Sequence, residues 1–233
     1  MVVSREARLK LVLFDCDGTL VDSQHMICAA MDQAYAAHGL PCPPRERILS
    51  IVGLSLAEAF ARLGGGEASA ALAESYKTAF FGLRQSGENM EPLFPGARAA
   101  IDALVARSDM RLGIATGKSR RGLNAVLSHH DLLMHFPIIQ TADDAPSKPH
   151  PAMVQAAMRE AGISPQDTVV IGDTVYDIAM ARAAGARAIG VSWGYHPAAD
   201  LRDEGADIVI DDYAALVPVL DALWNEGDLR RFG

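Results

Sequence analysis

Residues 9–20 read Leu9-Lys10-Leu11-Val12-Leu13-Phe14-Asp15-Cys16-Asp17-Gly18-Thr19-Leu20. A short apolar run of β-compatible residues, closed by an Asp-Gly turn, predicts a buried strand over 9–15. Similar runs at 110–115, 168–172, 187–191 and 206–210, with a weaker one at 137–140, predict further strands. Helical patterns lie between them at 96–107, 119–130, 151–161, 175–184 and 213–224. Strands alternating with helices of this length indicate crossover units, so the fold class is α/β, a doubly wound parallel sheet covered on both faces.

One region breaks the rhythm. Residues 21–90 hold only helical patterns, at 23–38, 45–51, 55–63 and 67–85, the third opened by Ser55 and Glu58 spaced as a capping box. The expected division is a core of residues 1–20 and 91–233 with a helical unit of residues 21–90 inserted after the first strand. No strand precedes Gly64-Gly65-Gly66, so that run reads as a helix end and turn rather than a phosphate loop.

Half of the 233 residues are hydrophobic and 21% are charged, enough to bury a core. The formal charge is −8, and Lys/Arg clusters do not exceed pairs such as Arg120-Arg121, which excludes nucleic acid as the expected main partner. The longest stretch free of Asp, Glu, Lys and Arg is 12 residues, against about 20 for a membrane span. Arg5, Glu6, Arg8 and Lys10 stand where a secretion signal needs apolar residues. Three cysteines, Cys16, Cys28 and Cys42, cannot pair completely and lack CxxC spacing, so a reducing, cytoplasmic setting is expected. The tail from residue 225 to 233 has few apolar anchors and is expected to fray.

In open α/β sheets ligands sit beyond the carboxyl ends of the strands, so the residues that follow each strand carry the chemistry. After the first strand come Asp15 and Asp17, two apart and pointing the same way if the extension holds, with Gly18 allowing a sharp turn. Taken alone this is equally an Asx-rich turn. After the second come Thr116, Gly117 and Lys118, a hydroxyl and free N–H groups suited to an anion, or ordinary capping. Lys148 stands between Ser147 and Pro149-His150-Pro151, where prolines fix the backbone around one charge. After the fourth comes Gly172-Asp173-Thr174-Val175-Tyr176-Asp177, in which Thr174 and Asp177 read as a capping box while Asp173 lacks that explanation. Three carboxylates in one cleft repel each other unless a cation intervenes, and an all-oxygen set suits Mg²⁺. His129, His130 and His135 end a helix and offer no zinc cluster.

The motifs DxDGTL (15–20), TGK (116–118), KPHP (148–151) and GDTxxD (172–177), in this order with a helical insert after the first, resemble the haloacid dehalogenase superfamily. Within it the chain is most similar to the phosphoglycolate phosphatase-like subfamily with a helical cap of the first type. The resemblance implies a Rossmann-like core with an inserted cap, and a Mg²⁺-dependent phosphatase acting on a small phosphorylated metabolite through an aspartyl phosphate. It assigns Asp15 as nucleophile and metal ligand, and Asp17 as general acid and base that also gives the metal its backbone carbonyl. Thr116, Gly117 and Lys148 would bind the phosphoryl group, Asp173 would ligate the metal, and Asp177 would support the site from outside. The carboxylate at Asp17 separates the chain from the dehalogenase branch, whose halide leaves without a proton.

A phosphomutase resembling β-phosphoglucomutase, or a pyrophosphatase, would share these motifs, as would an inactive binding module on the same scaffold. A phosphonate hydrolase would need a cap lysine, and Lys77 is the only lysine of residues 21–90. Candidate cap contacts to substrate are Arg45, Arg47, Arg62, Lys77, Arg84 and the turn 52–54. Trp193-Gly194-Tyr195 is expected to line the cleft and Cys16 to point into the core. Either a monomer or a homodimer fits.

Overall fold

The computed structural model describes residues 8–86 and 91–224, so the tail 225–233 and the expected boundary at residue 90 lie outside the described residues. Six strands form one sheet: β1 (Lys10–Phe14), β2 (Met110–Ala115), β3 (Ile138–Gln140), β4 (Thr168–Gly172), β5 (Arg187–Val191) and β6 (Ile208–Ile210). Their order is β3-β2-β1-β4-β5-β6, and every pairing is parallel. The chain reverses its direction of travel across the sheet beside β1, where Phe14 faces Ile114 on one side and Ile171 on the other. That switch point is where such a sheet opens a crevice.

Period-two alternation fixes the two faces. Val12 and Phe14 join Ile101, Leu123 and Leu220 in one apolar cluster, while Leu11 and Leu13 join Met153, Ala157 and Ile178 in the other. Cys16 continues the first set and is fully buried, as its position predicts.

Between residues 21 and 86 the chain is helical: α1 (Gln24–Ala37), α2 (Arg45–Leu49), α3 (Leu56–Arg62) and α4 (Ser69–Gln85). These helices turn their apolar faces to one another around Met31, Ile48, Phe60, Leu72 and Tyr76, a third cluster separate from the two of the sheet. Phe60 is fully buried between Tyr35 and Tyr76, with ring centroids 6.2 and 6.1 Å away. Where the chain leaves and re-enters the sheet layer its two strands of backbone meet: Asp22 N–H donates to Pro92 O (2.8 Å) and Phe94 N–H to Leu20 O (3.0 Å).

The remaining helices are α5 (Ala97–Val105), α6 (Arg120–His129), α7 (Ala152–Ala161), α8 (Val175–Ala183), α9 (Ala198–Asp203) and α10 (Leu216–Trp224). Two local expectations need correction. Ser55 and Glu58 do not form a capping box, because Ser55 N–H donates to Ser147 Oγ (2.8 Å) and Glu58 is held by Arg62 one turn on (2.9 Å). No helical pattern marks residues 198–203, yet α9 forms after Pro197 with Leu201 as its buried residue, and a single apolar side chain carries no period. No helix among the described residues is long and apolar enough to cross a membrane.

The helical layer depends on its aromatic centre. Phe60→Ala should lower stability by about 3–5 kcal/mol, read from urea denaturation; a loss under about 1 kcal/mol would show that Tyr35 and Tyr76 close over the cavity.

Candidate active site

Asp15 extends β1 by one residue, its N–H donating to Ile171 O (2.9 Å), and its side chain is fully buried at the switch point. Gly18 then turns with φ +83°, and a Cβ there would stand 2.2 Å from Asp173 Oδ2. Only glycine meets both demands, and through this close approach Thr19 Oγ1 can donate to Asp173 Oδ1 (2.9 Å). Tyr195 N–H donates to Asp173 Oδ2 (2.9 Å), so the 193–195 loop braces Asp173.

Donor oxygens of Asp15, Asp173 and Asp177 lie within 4.8 Å of one another, all three side chains buried. Lys148 Nζ bridges two of them, 2.9 Å from Asp15 Oδ1 and 2.5 Å from Asp177 Oδ1. Asp177 also completes the capping box foreseen for α8: its Oδ2 accepts from Thr174 N–H (3.2 Å) and Thr174 Oγ1 (2.6 Å). Its structural role and its hold on Lys148 therefore coexist.

Three carboxylates share one ammonium, and the site is short of positive charge. Burial pushes the Asp15 carboxyl up to about 6, against the pull of Lys148 and aided by repulsion from Asp177 and Asp17. Burial likewise raises Asp173 well above the usual carboxylate range, with Asp15 and Asp177 adding to it. Lys148 stays charged, because Asp15 and Asp177 outweigh its burial. Asp15 Oδ2 is buried without a hydrogen-bond partner. An all-oxygen acidic cluster with an unpartnered carboxylate oxygen is what a hard divalent cation requires, so the residues present fit such an ion.

A second set of charges surrounds Asp17, which accepts from Ser23 Oγ (2.6 Å) and from Lys118 Nζ (2.7 and 3.0 Å). Lys118 Nζ also lies 3.1 Å from Glu91 Oε1, and Arg84 donates to Glu91 Oε2 (2.5 and 3.1 Å). Burial works against the Lys118 ammonium, but Asp17 and Glu91 outweigh it and hold it charged. Sequence reasoning assigned no role to Lys118 or Glu91. The hydroxyl-Gly-Lys triplet hinted at the first, but nothing in the chain announces that it meets Asp17 across 101 positions.

Thr116 is buried, with Oγ1 accepting from Lys118 N–H (3.3 Å). At Gly117 a Cβ would stand 2.4 Å from Gly53 O, so glycine lets the helical layer press onto the sheet here. The helix after this motif begins only at Arg120, capped by Ser119, whose Oγ accepts from Gly122 N–H. A cavity of about 190 Å³ lies between the layers, and Asp15, Asp17, Thr116 and Gly117 open onto it.

Of the proposed cap contacts, Lys77, Arg84 and residues 52–54 line this cavity. Arg45, Arg47 and Arg62 do not: they bind Gln24, the Arg62 carbonyl, and Glu58 with Tyr176. Trp193, Gly194 and Tyr195 stand behind Asp173 rather than in the cavity wall, Trp193 donating to Thr19 O (3.2 Å). His130 is half-buried against Glu91 O (2.8 Å), a structural role.

A family model for haloacid dehalogenase-like hydrolases matches residues 12–191. The chain belongs to that family. It is 31% identical over 215 residues to the phosphoglycolate phosphatase of Pseudomonas putida, a match covering 90% of this chain and 79% of that protein. It is 33% identical over 220 residues to the Dickeya dadantii protein named "Probable phosphatase IndB", covering 91% of this chain and 94% of that one. Among solved structures, a hydrolase from Pseudomonas syringae is 27% identical with a TM-score of 0.80, covering 92% of this chain and 98% of that one.

Two predictions follow from the charges of this hydrolase. In the cation-free protein Asp15 holds its proton between its ordinary 3.8 and about 6, so its ionisation costs stability as pH rises through that interval, a cost that a bound cation removes. The rise in melting temperature caused by a divalent cation should therefore widen from pH 4 to pH 6 in scanning calorimetry; a rise that narrows would contradict the assignment. Lys118→Met leaves Asp17 and Glu91 facing each other without their shared ammonium and should cost about 3–5 kcal/mol, read from urea titration, whereas a change below 1 kcal/mol would show the network is solvated.

Proposed function

We propose that this hydrolase is a Mg²⁺-dependent phosphatase for a small phosphorylated metabolite, working in a reducing, cytoplasmic setting to which its three free cysteines are suited. Residues 21–90 act as a cap over a core of residues 1–20 and 91–233. The observation that carries the reading is Asp15, a buried carboxylate beside Lys148 that lines the cavity and has one oxygen unpartnered.

The Asp15 carboxylate, the Asp17 backbone carbonyl and Asp173 would hold the ion, with Asp177 behind them. Bound there, Mg²⁺ supplies positive charge that offsets the repulsion between an anionic ester and anionic carboxylates. Thr116, Gly117 and Lys148 orient the phosphoryl group, so that an Asp15 oxygen meets phosphorus in line with the leaving alcohol. Asp15 displaces the alcohol, forming an aspartyl phosphate, while protonated Asp17 gives its proton to the leaving oxygen. In the second half-reaction the Asp17 carboxylate takes a proton from water, whose oxygen attacks phosphorus and frees Asp15. Asp17 thereby ends protonated for the next ester. The observed contact between Lys118 and Asp17 suits this second half, in which Asp17 is a carboxylate. The helical layer, pressed onto Gly117 through Gly53, keeps bulk water from the acyl phosphate.

Phosphate release from p-nitrophenyl phosphate, phosphoglycolate, pyrophosphate and hexose phosphates, with Mg²⁺ and with EDTA, tests the reading. Release should require Mg²⁺; Asp15→Asn should abolish it and Asp17→Asn should lower kcat by about 10²–10⁴. Asp15→Asn with most of its activity intact would overturn the nucleophile, and isomer interconversion of a hexose phosphate without net release would replace the phosphatase by a mutase.

A further inference from the structure

The cavity that receives the alcohol half of the substrate has a composition of its own. Ile27 and Met31 of α1, Leu56 at the start of α3, and Tyr76 and Phe80 of α4 contribute apolar surface to its wall. Ser119 also lines it, but its oxygen is committed to the N–H of Gly122.

The least exposed cations at this wall, Lys118 and Arg84, are already matched. Lys118 lies between Asp17 and Glu91, Arg84 is bound to Glu91 through two nitrogens, and Lys77 pairs with Glu74 at 2.7 Å. Arg121, exposed on α6, lays its guanidinium over the Phe81 ring at 4.4 Å. A second anionic group on the substrate, such as a carboxylate, would have to break the pairs of Lys118 or Arg84, remain unpaired against aliphatic side chains, or reach Lys77 or Arg121, which line the cavity but stand exposed to solvent; the first two are costly and the third gains little. An apolar chain or ring would instead displace water from Ile27, Met31, Leu56 and Phe80 at no such cost.

We infer that this hydrolase prefers phosphomonoesters of uncharged alcohols with an apolar body, a short alkyl chain or a single ring, over esters that carry a second anionic group such as phosphoglycolate. The inference rests on the phosphatase reading and narrows it. A cavity of about 190 Å³ has room for an alcohol of that size. Selectivity comes from the cap wall, since the phosphoryl group is the same in every ester. Leu56 is the point of control, half-buried at the first turn of α3 on the cavity wall.

The test compares kcat/KM of the full chain with Mg²⁺ for n-propyl, n-butyl and n-pentyl phosphate, benzyl phosphate and phosphoglycolate. The alkyl alcohols leave with nearly the same basicity, so differences among them report binding. Expected is a rise of about three- to fourfold per methylene, with benzyl phosphate at least about tenfold above phosphoglycolate. A flat or falling alkyl series, or phosphoglycolate as the best ester, overturns the inference while leaving the phosphatase reading intact. No Mg²⁺-dependent release from any ester, p-nitrophenyl phosphate included, overturns the reading beneath it. Leu56→Arg, shown folded by circular dichroism, should lower kcat/KM for pentyl phosphate and raise it for phosphoglycolate. Equal changes for both esters would remove Leu56 from the alcohol subsite, and the native ester series decides the inference even if this variant does not fold.

Discussion

A deficit of positive charge at the carboxyl end of β1 governs the rest of the molecule. Asp15, Asp173 and Asp177 are buried together with Lys148 as their shared cation, and burial raises the cost of holding their charges so close. Such an arrangement persists only because it is braced from every side: Thr19 and Tyr195 hold Asp173, Thr174 fixes Asp177, and β4 pins the backbone of Asp15. In the proposed mechanism a cation would supply the missing charge, and Asp15 Oδ2, buried without a hydrogen-bond partner, would be the oxygen that reacts. Stability is given up at the place where the proposed chemistry would be done.

The fold serves that deficit. Parallel pairing in the order β3-β2-β1-β4-β5-β6 brings the loops after β1, β2 and β4 to one edge, although Thr19 and Asp173 are 154 positions apart. Two glycines permit the closeness: Gly18 lets the first loop touch Asp173, and Gly117 lets the helical layer touch the second loop. A second, balanced group of charges, Asp17, Lys118, Glu91 and Arg84, connects the sheet layer to α4. One network is thus short of charge, and its neighbour is matched. Asp17 belongs to the second and, in the proposed mechanism, would serve the first.

Legibility in the sequence followed how local each signal was. The strands at 110–115, 168–172 and 187–191 are largely apolar runs, buried except at Arg111 and Arg187, and the structure has them with those bounds. The Thr174 and Asp177 box was visible because it is made within four residues, whereas the similar spacing of Ser55 and Glu58 failed because Ser147 and Arg62 offered other partners. Helix α9 had too few apolar residues to show a period. The acidic residues and Lys148 were legible because each follows a strand and the topology then gathers them. Lys118, Glu91 and the apolar cavity wall were not, since their meaning lies in contacts between a cap helix and the sheet that no local pattern encodes.

The central claim is that Asp15 forms a covalent bond to phosphorus. Borohydride added during turnover reduces an acyl phosphate to the alcohol, so peptide mass spectrometry of the quenched protein reads the position directly. The account predicts homoserine at position 15 in protein quenched with substrate and Mg²⁺, and none without substrate. Homoserine at another aspartate, or an unmodified Asp15 in protein that is releasing phosphate, would contradict it.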